Sequence, residues 1–523
     1  LDLLDYLLLE RPRKSAMEGA HTMSKVVVIG AGIGGMSAAA RIAKAGHQVE
    51  IFEAANFVGG KCRTEWIGRY AFDTGPSLLT LPAVYRDFFL KTGALMEDVL
   101  TQIPVDPAFD YRFADGSSVK FANLSRYQTL QAITSSFGSE AAAGWDQIMK
   151  RAEAMWDVSR EPFIESELTS IAALFKRVTL LRDLLVIAPF KSLREIATEK
   201  LTDQRLRYIV DRYATYSGSD PRKAPAVLLS IAFVEEAFGA WHLAGGIGQL
   251  SVAIEKRCLD LGVKIHLNSP VAKIQTANGV ATGIALANGT EIAADFIVSN
   301  SDASLTYHQL IIPTEKRAKG ERKNLAKTQK SLAGFSLLLG LRPAEMAEKL
   351  NHHTILFPAD YDAEFEAIFT QKKPVENPTI YICAPNDPLM VKDAGHESWF
   401  VLVNAPRHDE SGKSGFDWRD ENFKHKYANL IIAQIEARGI KIRERLDVLE
   451  IRTPLDLQES VMAPGGSIYG TSSNSASAAF LRTKNRSPIK NLFCVGGSTH
   501  PGGGLPLVGI SAEIVANAIG RAR

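Results

Sequence analysis

Cysteine is scarce in this chain, and its four residues form no pattern typical of a metal or disulfide site. They are scattered as Cys62, Cys258, Cys383 and Cys494, with neither CxxC spacing nor a histidine-paired cluster. This scatter argues against the disulfide framework of small secreted domains and against zinc-ligand spacing. The sequence therefore predicts no metal site and a reduced, cytoplasmic setting.

Long hydrophobic runs and an excess of one charge are also missing. The most lipophilic region is interrupted by Lys176, Arg177, Arg182 and Lys191. It therefore falls well short of the roughly 20 apolar residues that a membrane-spanning helix needs. The 60 basic and 58 acidic side chains leave a formal net charge of +2, which argues against nucleic acid as a partner. Any contact with a membrane must then be made from its surface.

The length of 523 residues predicts two or three lobes, because a single hydrophobic core stops growing well below that size. The first 22 residues contain a short apolar stretch, Leu3 to Leu9, then basic residues and no cleavage pattern. We interpret them as a disordered leader or as upstream translated sequence, with Met23 as the functional start.

A βαβ unit follows. The run Lys25 to Gly30 is apolar, β-branched and ends in glycine, which is typical of a buried parallel strand. Small residues from Ala31 to Gly46 predict a helix, and Gln48 to Glu53 predicts a second strand.

The remaining chain alternates between helical and α/β patterning. Residues 127–240 predict an inserted helical lobe, in which Ile171, Leu174, Phe175, Val178, Leu181 and Leu185 share one face. A helix through Cys258 and a final helix from Ile510 to Ala522 are also predicted. The predicted strands lie at Val263 to Leu267, Val271 to Gln275, Phe296 to Ser299, Leu332 to Leu341, Ser398 to Asn404 and Asn491 to Val495.

The turn between the first strand and helix carries a dinucleotide-binding pattern. Gly30, Gly32 and Gly35 form GxGxxG, and Glu53 closes the second strand 23 residues after Gly30. The glycines permit a tight turn, approach of the backbone to a pyrophosphate and close helix packing, while the acidic residue accepts from a ribose. The helix N-terminus offers free N–H groups to phosphates.

A flexible cationic loop with Gly59, Gly60, Lys61 and Arg63 follows the second strand. The stretch GAGIGGMSAAARIAKAGHQVEIFEAANFVGGKCR and the following FDTGPS resemble the amino-oxidase-like FAD flavoproteins. The closing CVGGSTHPGGGLPLVGISA resembles the terminal FAD motif of bacterial-type phytoene and carotenoid desaturases, with further similarity in HHTILF, VLVNAP and GTSSN. These motifs span Val26 to Ala512.

The resemblance implies a set of FAD contacts. They are Gly30, Gly32, Gly35, Glu53, Gly60, Lys61, Arg63, Val271, Gly497, Val508, Gly509 and Ile510. Lys61 departs from the family, in which many relatives carry arginine. A lysine keeps the attraction for phosphate but lacks the planar fork of arginine, so bidentate geometry is in doubt.

Acid–base candidates are few. His500, in the glycine- and proline-rich turn, is the catalytic candidate, although a histidine in such a turn is more often a structural hydrogen-bonding residue. The helix start at Gly245, Gly246 and Gly248 and the strand end at Ser299 and Asn300 have either a turn-forming or a cofactor-binding role. No nucleophile triad, paired-carboxylate signature or metal spacing is present, which suits a reaction whose hydride acceptor is a flavin.

The resemblance implies an α/β fold with a Rossmann-type FAD-binding domain and an interleaved substrate domain, made of a mixed sheet and a helical lobe that we expect to face a membrane. The expected division is 1–23 for the leader, 24–90, 240–305 and 485–523 for the FAD-binding domain, 91–126 and 306–484 for the substrate domain, and 127–239 for the helical lobe.

The function that the resemblance implies is FAD-dependent desaturation of a linear carotenoid, phytoene or a later acyclic carotene. The alternatives are a carotenoid terminal oxidase or ketolase and a non-catalytic isoprenoid-binding escort. The GTSSN and VLVNAP segments favour carotenes that are already unsaturated or end-modified. Expected partners are a hydrophobic polyene, a membrane surface bound peripherally, and an electron acceptor such as quinone or oxygen, with no nucleic acid.

Overall fold

The computed structural model describes residues 23–167, 180–345, 348–475, 478 and 482–522. The predicted leader lies outside these residues. So do residues 171–179 of the basic, amphipathic stretch from Ile171 to Lys191, which is described from residue 180 onward. Among the described residues, no helix is long and apolar enough to cross a membrane.

The twenty strands of the described residues are numbered in chain order. They are β1 Lys25–Ile29, β2 Gln48–Phe52, β3 Thr64–Ile67, β4 Tyr70–Asp73, β5 Leu79–Thr80, β6 Gln102–Pro104, β7 Phe109–Arg112, β8 Ser118–Phe121, β9 Ala240–Leu243, β10 Lys264–His266, β11 Val271–Ala277, β12 Val280–Leu286, β13 Glu291–Ala293, β14 Phe296–Ser299, β15 Ala333–Leu341, β16 His353–Leu356, β17 Ile380–Cys383, β18 Glu397–Ala405, β19 Leu446–Arg452 and β20 Leu492–Cys494.

The α-helices of the described residues are numbered in the same way. They are α1 Ile33–Lys44, α2 Ala83–Thr92, α3 Arg126–Phe137, α4 Ser139–Ser159, α5 Leu180–Ile187, α6 Leu193–Lys200, α7 Gln204–Thr215, α8 Ser230–Phe238, α9 Gly248–Asp260, α10 Ala303–Leu305, α11 Lys319–Lys327, α12 Asp362–Glu366, α13 Glu421–Glu436, α14 Pro454–Val461 and α15 Leu505–Ile519.

A five-stranded parallel sheet has the order β10-β2-β1-β14-β20. Its central strand, β1, carries Val26, Val27 and Val28, none of which is exposed. Such complete burial is typical of a parallel strand covered on both faces, and each side chain contributes about 1.5–3 kcal/mol to folding. Helices α1 and α15 pack against one another beside this sheet. The sheet thus assembles strands from three distant parts of the sequence.

A seven-stranded mixed sheet has the order β19-β15-β18-β17-β16-β7-β8, in which only the β16–β7 pair is parallel. The long strand β15 is almost entirely buried because it lies between β18 and β19. Between β8 and β9 the described residues form helices α3 to α8. These helices pack on the sheet, with the Trp145 ring of α4 centred 5.0 Å from Phe121 of β8.

The predicted bounds of two helices are wrong. Helix α1 begins at Ile33 instead of Ala31, because Gly30 is left-handed (φ +94°) and Gly32 is still extended. Helix α15 begins at Leu505 instead of Ile510, since Pro506 needs no N–H partner in a first helical turn. It ends at Ile519, before Gly520 with φ +88°.

Candidate functional site: a dinucleotide cradle and its buried cations

The glycine loop between β1 and α1 has the geometry that its sequence predicts. A Cβ atom on Gly35 would lie 2.2 Å from the carbonyl oxygen of Gly30, so only glycine allows α1 to pack this closely on β1. Gly59 donates its N–H to the Ala31 carbonyl at 2.8 Å. A Cβ on Gly60 would be 3.5 Å from the Cα of Gly32. The second glycine motif therefore lies directly against the first.

Glu53 also lies at this loop. Its carboxylate accepts from the Ala31 N–H at 2.6 Å and from the Ala55 N–H at 2.9 Å. The segment that leads to Val271 passes alongside, because Ser269 donates its N–H to the Glu53 carbonyl at 2.7 Å. The structure therefore brings the loop, the acidic residue and the start of β11 together at one edge of the parallel sheet.

The C-terminal helix closes the other side of the loop. A Cβ on Gly34 would lie 3.1 Å from a Val508 methyl group, in the first turns of α15. The amide of Asn300 lies between the two helices, 2.6 to 2.7 Å from the Cβ positions of Gly32, Gly34 and Gly496. The N-termini of α1 and α15 thus lie close together, and the adjoining glycines leave room that a larger residue would fill.

The predicted residues beyond Val508 pack in different directions. A Cβ on Gly509 would lie 2.6 Å from a Val84 methyl group, so this glycine lets α15 pack on α2. Ile510 is buried. A Cβ on Gly497 would lie 3.4 Å from the Cα of Gly503, and Gly503 itself faces the Tyr469 ring, 2.4 Å from its own Cβ position. The terminal glycine turn is therefore covered by an aromatic side chain.

Two cations, the half-buried Lys61 and the buried Arg482, lie beside this turn. The Lys61 ammonium donates to the carbonyls of Ser467 at 3.0 Å and Ile468 at 2.7 Å. The Arg482 guanidinium donates to the carbonyls of Tyr469 at 3.0 Å and Gly497 at 3.2 Å. Burial lowers the pKa of Lys61 to about 8 and that of Arg482 to about 10, while Asp302 acts in the opposite direction on both. Arg482 is a residue that the sequence analysis missed.

Arg63 points elsewhere. Its guanidinium forms an ion pair with Glu65 and lies 3.6 Å from the centre of the Phe57 ring. Glu65 is shared with Arg452 at 3.4 Å. The flavin contact implied for Arg63 stays a prediction.

A second polar cluster was invisible in the sequence. Tyr213 and Tyr216 donate their hydroxyls to the two carboxylate oxygens of Glu235 at 2.7 and 2.9 Å, and Arg212 donates to the Tyr216 hydroxyl at 2.7 Å. Burial raises the pKa of Glu235, with Arg212 and the two tyrosines opposing. Burial also raises the pKa of Tyr469 to about 12, and the positive charge of Arg212 opposes this rise.

His500 is buried behind the turn. Its Nε2 lies 2.9 Å from the Ser166 carbonyl, to which it donates, and its own carbonyl accepts from Asn485 at 2.9 Å and Ser511 at 2.8 Å. Burial lowers the pKa of the His500 ring, so the imidazole is neutral at pH 7. These contacts favour the structural interpretation of His500 over the acid–base interpretation.

Two histidines and a cysteine lie close together where the start of β16 pairs with the end of β17. The ligating atoms of His352, His353 and Cys383 all lie within 4.8 Å of one another. His353 Nδ1 lies 3.0 Å from the Ala108 carbonyl, and its Nε2 lies 3.0 Å from His352 Nδ1. Sequence spacing did not reveal this cluster, because pairing across the two strands creates it.

The described residues fit an FAD molecule. Two helix N-termini and a glycine cradle suit the pyrophosphate, and Glu53 lies where a ribose would bind. Carbonyl oxygens hold both Lys61 and Arg482, and both cations would be stabilised by the negative charge that the cofactor brings. The cradle and the cations lie at one end of the same sheet.

Comparison with known proteins agrees with this geometry. Residues 33–327 match the family described as flavin containing amine oxidoreductase. The chain is 32% identical over 508 residues to the 1-hydroxycarotenoid 3,4-desaturase of Flavobacterium sp. (strain P99-3), covering 95% of this chain and 99% of that protein. It is 29% identical to the 4,4'-diapolycopene oxygenase of Methylomonas sp, with 95% and 98% covered.

Two solved structures share the fold. An oxidoreductase from Methanosarcina mazei superposes with a TM-score of 0.64 at 17% identity, covering 94% of this chain and 100% of that chain. Putrescine oxidase bound to putrescine superposes with a TM-score of 0.61 at 16% identity, covering 95% of this chain and 99% of that chain. The predicted α/β fold, the FAD cofactor and the oxidoreductase class are confirmed. The chain belongs to the flavin containing amine oxidoreductase family, in the branch that includes carotenoid desaturases and oxygenases.

Proposed function

We propose that this protein is an FAD-dependent desaturase of linear carotenoids. The observation that carries the proposal is similarity over nearly the whole length of both chains to a 1-hydroxycarotenoid 3,4-desaturase. A relative from Myxococcus xanthus, 29% identical, is a zeta-carotene-forming phytoene desaturase. The substrate class is therefore an acyclic polyene, and the segments GTSSN and VLVNAP favour one that is already unsaturated or end-modified.

Introducing a double bond removes a hydride and a proton from adjacent carbons. FAD, when bound, supplies the hydride acceptor. The chain supplies the surroundings: Lys61 and Arg482 place positive charge beside the glycine turn. Buried cations in a low dielectric stabilise developing negative charge more strongly than exposed ones.

We propose that the Glu235 carboxylate takes up the proton. Two tyrosine hydroxyls hold this group, and its burial raises its pKa, which makes the ionised form a stronger base. Arg212 donates a hydrogen bond to the Tyr216 hydroxyl and so helps to hold this tyrosine against the carboxylate. His500, whose ring is committed to the Ser166 carbonyl, then has a positioning role in the turn.

Substrate delivery points to a membrane surface. Leu185 of α5 is 77% exposed and the nearby Phe190 is 99% exposed. Arg182 and Lys191 flank these apolar side chains. Such a pattern suits peripheral docking on a lipid surface, with about 1 kcal/mol from each basic residue at an anionic membrane. We propose that the enzyme works at the cytoplasmic face of the membrane and passes electrons to a quinone or oxygen.

The test is product formation. The FAD-loaded protein is incubated in liposomes with phytoene, neurosporene and a hydroxylated acyclic carotene, without oxygen and with a quinone, and the products are identified by absorption spectra and mass. Loss of two hydrogens from one of these polyenes is expected. Lack of any desaturated product with all three, from protein that binds FAD, would contradict the proposal.

A second candidate is oxygenation of a carotenoid end group, favoured by the 29% identity to 4,4'-diapolycopene oxygenase over almost the full length. The two reactions differ in their need for oxygen. Incorporation of ¹⁸O from labelled oxygen into product, with no turnover under quinone alone, would favour the oxygenase. The oxidoreductase class does not favour the non-catalytic escort.

A further inference from the structure

A cavity of about 530 Å³ lies between the end of α11, the chain before β15 and the loop after β18. Five of its lining residues carry a full positive charge, namely Lys327, Lys330, Lys372, Arg407 and Lys413. His308 also lines it, and its described lining residues include no aspartate or glutamate. A cavity with this lining favours an anion.

The cations in the wall repel one another. Burial lowers the pKa of both Lys330 and Lys372, and the neighbouring Arg407 lowers both further. Burial lowers the pKa of Arg407 as well, while Asp409 and Asp302 oppose that change. Holding three like charges around one cavity is unfavourable unless an anion compensates them.

The carboxylate of Asp302, which acts on the cations of this cavity, also acts on those of the cofactor turn. Asp302 opposes the lowered pKa values of Lys330 and Arg407, and it does the same for Lys61 and Arg482 at the cofactor turn. The Asp302 carboxylate therefore opposes the lowered pKa of four different cations. Within the described part of the chain, neither Lys330 nor Arg407 has a carboxylate as a hydrogen-bond partner. Lys330 donates to the Ser304 hydroxyl at 2.6 Å and the Leu325 carbonyl at 3.3 Å, and Arg407 donates to the Ser414 carbonyl at 3.5 Å.

The size and the rest of the lining indicate the kind of anion. The charge exceeds what one carboxylate would balance, and Ser304, Gln329 and Ser331 add polar side chains. The volume is larger than a bare phosphate ion requires. The remaining wall is apolar, formed by Leu325, Leu332, Ile368, Phe369 and Pro406. Lys327 and Lys413 are exposed, so the charged side of the cavity reaches the surface.

We infer that this cavity binds a phosphate ester, with the phosphate among Lys330, Lys372 and Arg407 and its organic group against the apolar wall. Two sources offer this chemistry: the headgroup of an anionic phospholipid and a soluble phosphate ester. Arginine and lysine are the usual ligands of phosphate in proteins. None of its lining residues is among the implied FAD contacts, although Ser331 of the lining hydrogen-bonds Ser467, whose carbonyl accepts from Lys61.

The experiment uses the FAD-loaded full chain, so that the cofactor site is occupied. Binding of butyl phosphate is measured by calorimetry, and binding to vesicles of 30% phosphatidylglycerol in phosphatidylcholine by cosedimentation. Arg407→Gln and Lys330→Gln are compared with Lys426→Gln, which removes an exposed lysine of α13 that does not line the cavity. Flavin absorbance reports whether each variant remains intact.

We expect Arg407→Gln and Lys330→Gln to weaken binding of the phosphate ester at least tenfold, with Lys426→Gln unchanged. Loss confined to butyl phosphate identifies a soluble ligand, and loss of vesicle binding identifies a lipid headgroup. Should Arg407→Gln lose its flavin, Lys413→Gln at the exposed rim provides the same comparison with a smaller effect. Wild-type protein that binds neither probe, or equal weakening in Lys426→Gln, would overturn the inference.

Discussion

Replacing Lys61 by methionine tests the electrostatics of the cofactor site. Burial lowers the pKa of the Lys61 ammonium from 10.5 to about 8. At about 1.4 kcal/mol per pKa unit, the charged lysine costs the cofactor-free fold roughly 3 kcal/mol at pH 7. Methionine removes this cost but leaves the carbonyls of Ser467 and Ile468 without a donor, which costs about 1–2 kcal/mol. We therefore expect the Lys61→Met apoprotein to be about 1 kcal/mol more stable than wild type at pH 7.

The same reasoning fixes the sign of the pH dependence. A lysine whose folded pKa is depressed binds fewer protons in the folded than in the unfolded state, so stability rises with pH between about 8 and 10.5. About 2 kcal/mol of the penalty should disappear between pH 7 and 9.5. The stability advantage of Lys61→Met should then vanish or reverse at pH 9.5. Urea unfolding of the apoproteins at the two pH values measures the difference.

The affinity for FAD should fall as the pH rises, in contrast to the stability of the apoprotein. The negative charge of FAD favours the protonated lysine, so wild-type affinity should fall about tenfold between pH 7.5 and 9.5. Lys61→Met should bind FAD at least tenfold more weakly at pH 7.5 and lose this pH dependence, while Lys61→Arg should keep the affinity throughout. A Lys61→Met protein that binds FAD as tightly as wild type, with unchanged stability at both pH values, would refute this account of Lys61.

Three further substitutions probe the turn and the loop. Gly35→Ala should reduce both thermal stability and FAD content, because its Cβ would lie 2.2 Å from the backbone oxygen of Gly30; flavin absorbance after gel filtration and Tm check this, and full retention of both would contradict it. Gly503→Leu should collide with the Tyr469 ring and lower turnover at least a hundredfold with FAD retained, and Tyr469→Ala in the same chain should restore part of the rate. His500→Ala should lower the free energy of unfolding by about 1–3 kcal/mol and reduce turnover only a few-fold, because the His500 ring hydrogen-bonds the Ser166 carbonyl. Loss of turnover at unchanged stability would instead make His500 an acid–base residue.

Several elements were predictable because their information is local. The valines of β1, the glycines of the following turn and Glu53 lie within 30 residues, and each has a backbone or packing role that only certain residue types can fill. The long strands β15 and β18 were also predictable, since each is a continuous apolar run. Helix ends were less predictable. Pro506, for example, is compatible with either a loop or the first turn of a helix.

The sequence by itself thus determined the parallel βαβ unit, the FAD cradle and the family, all encoded in contiguous motifs. Only the tertiary structure placed Lys61 against Ser467 and Ile468, 406 and 407 residues away. It also brought the two tyrosines at the end of α7, Tyr213 and Tyr216, to the Glu235 carboxylate of α8. A cation has no pattern that shows whether it will be buried, because its environment is set by side chains from distant strands. The cationic cavity arose in the same way, since its charges come from the end of α11, the chain before β15 and the segments before β17 and after β18, which meet only after folding.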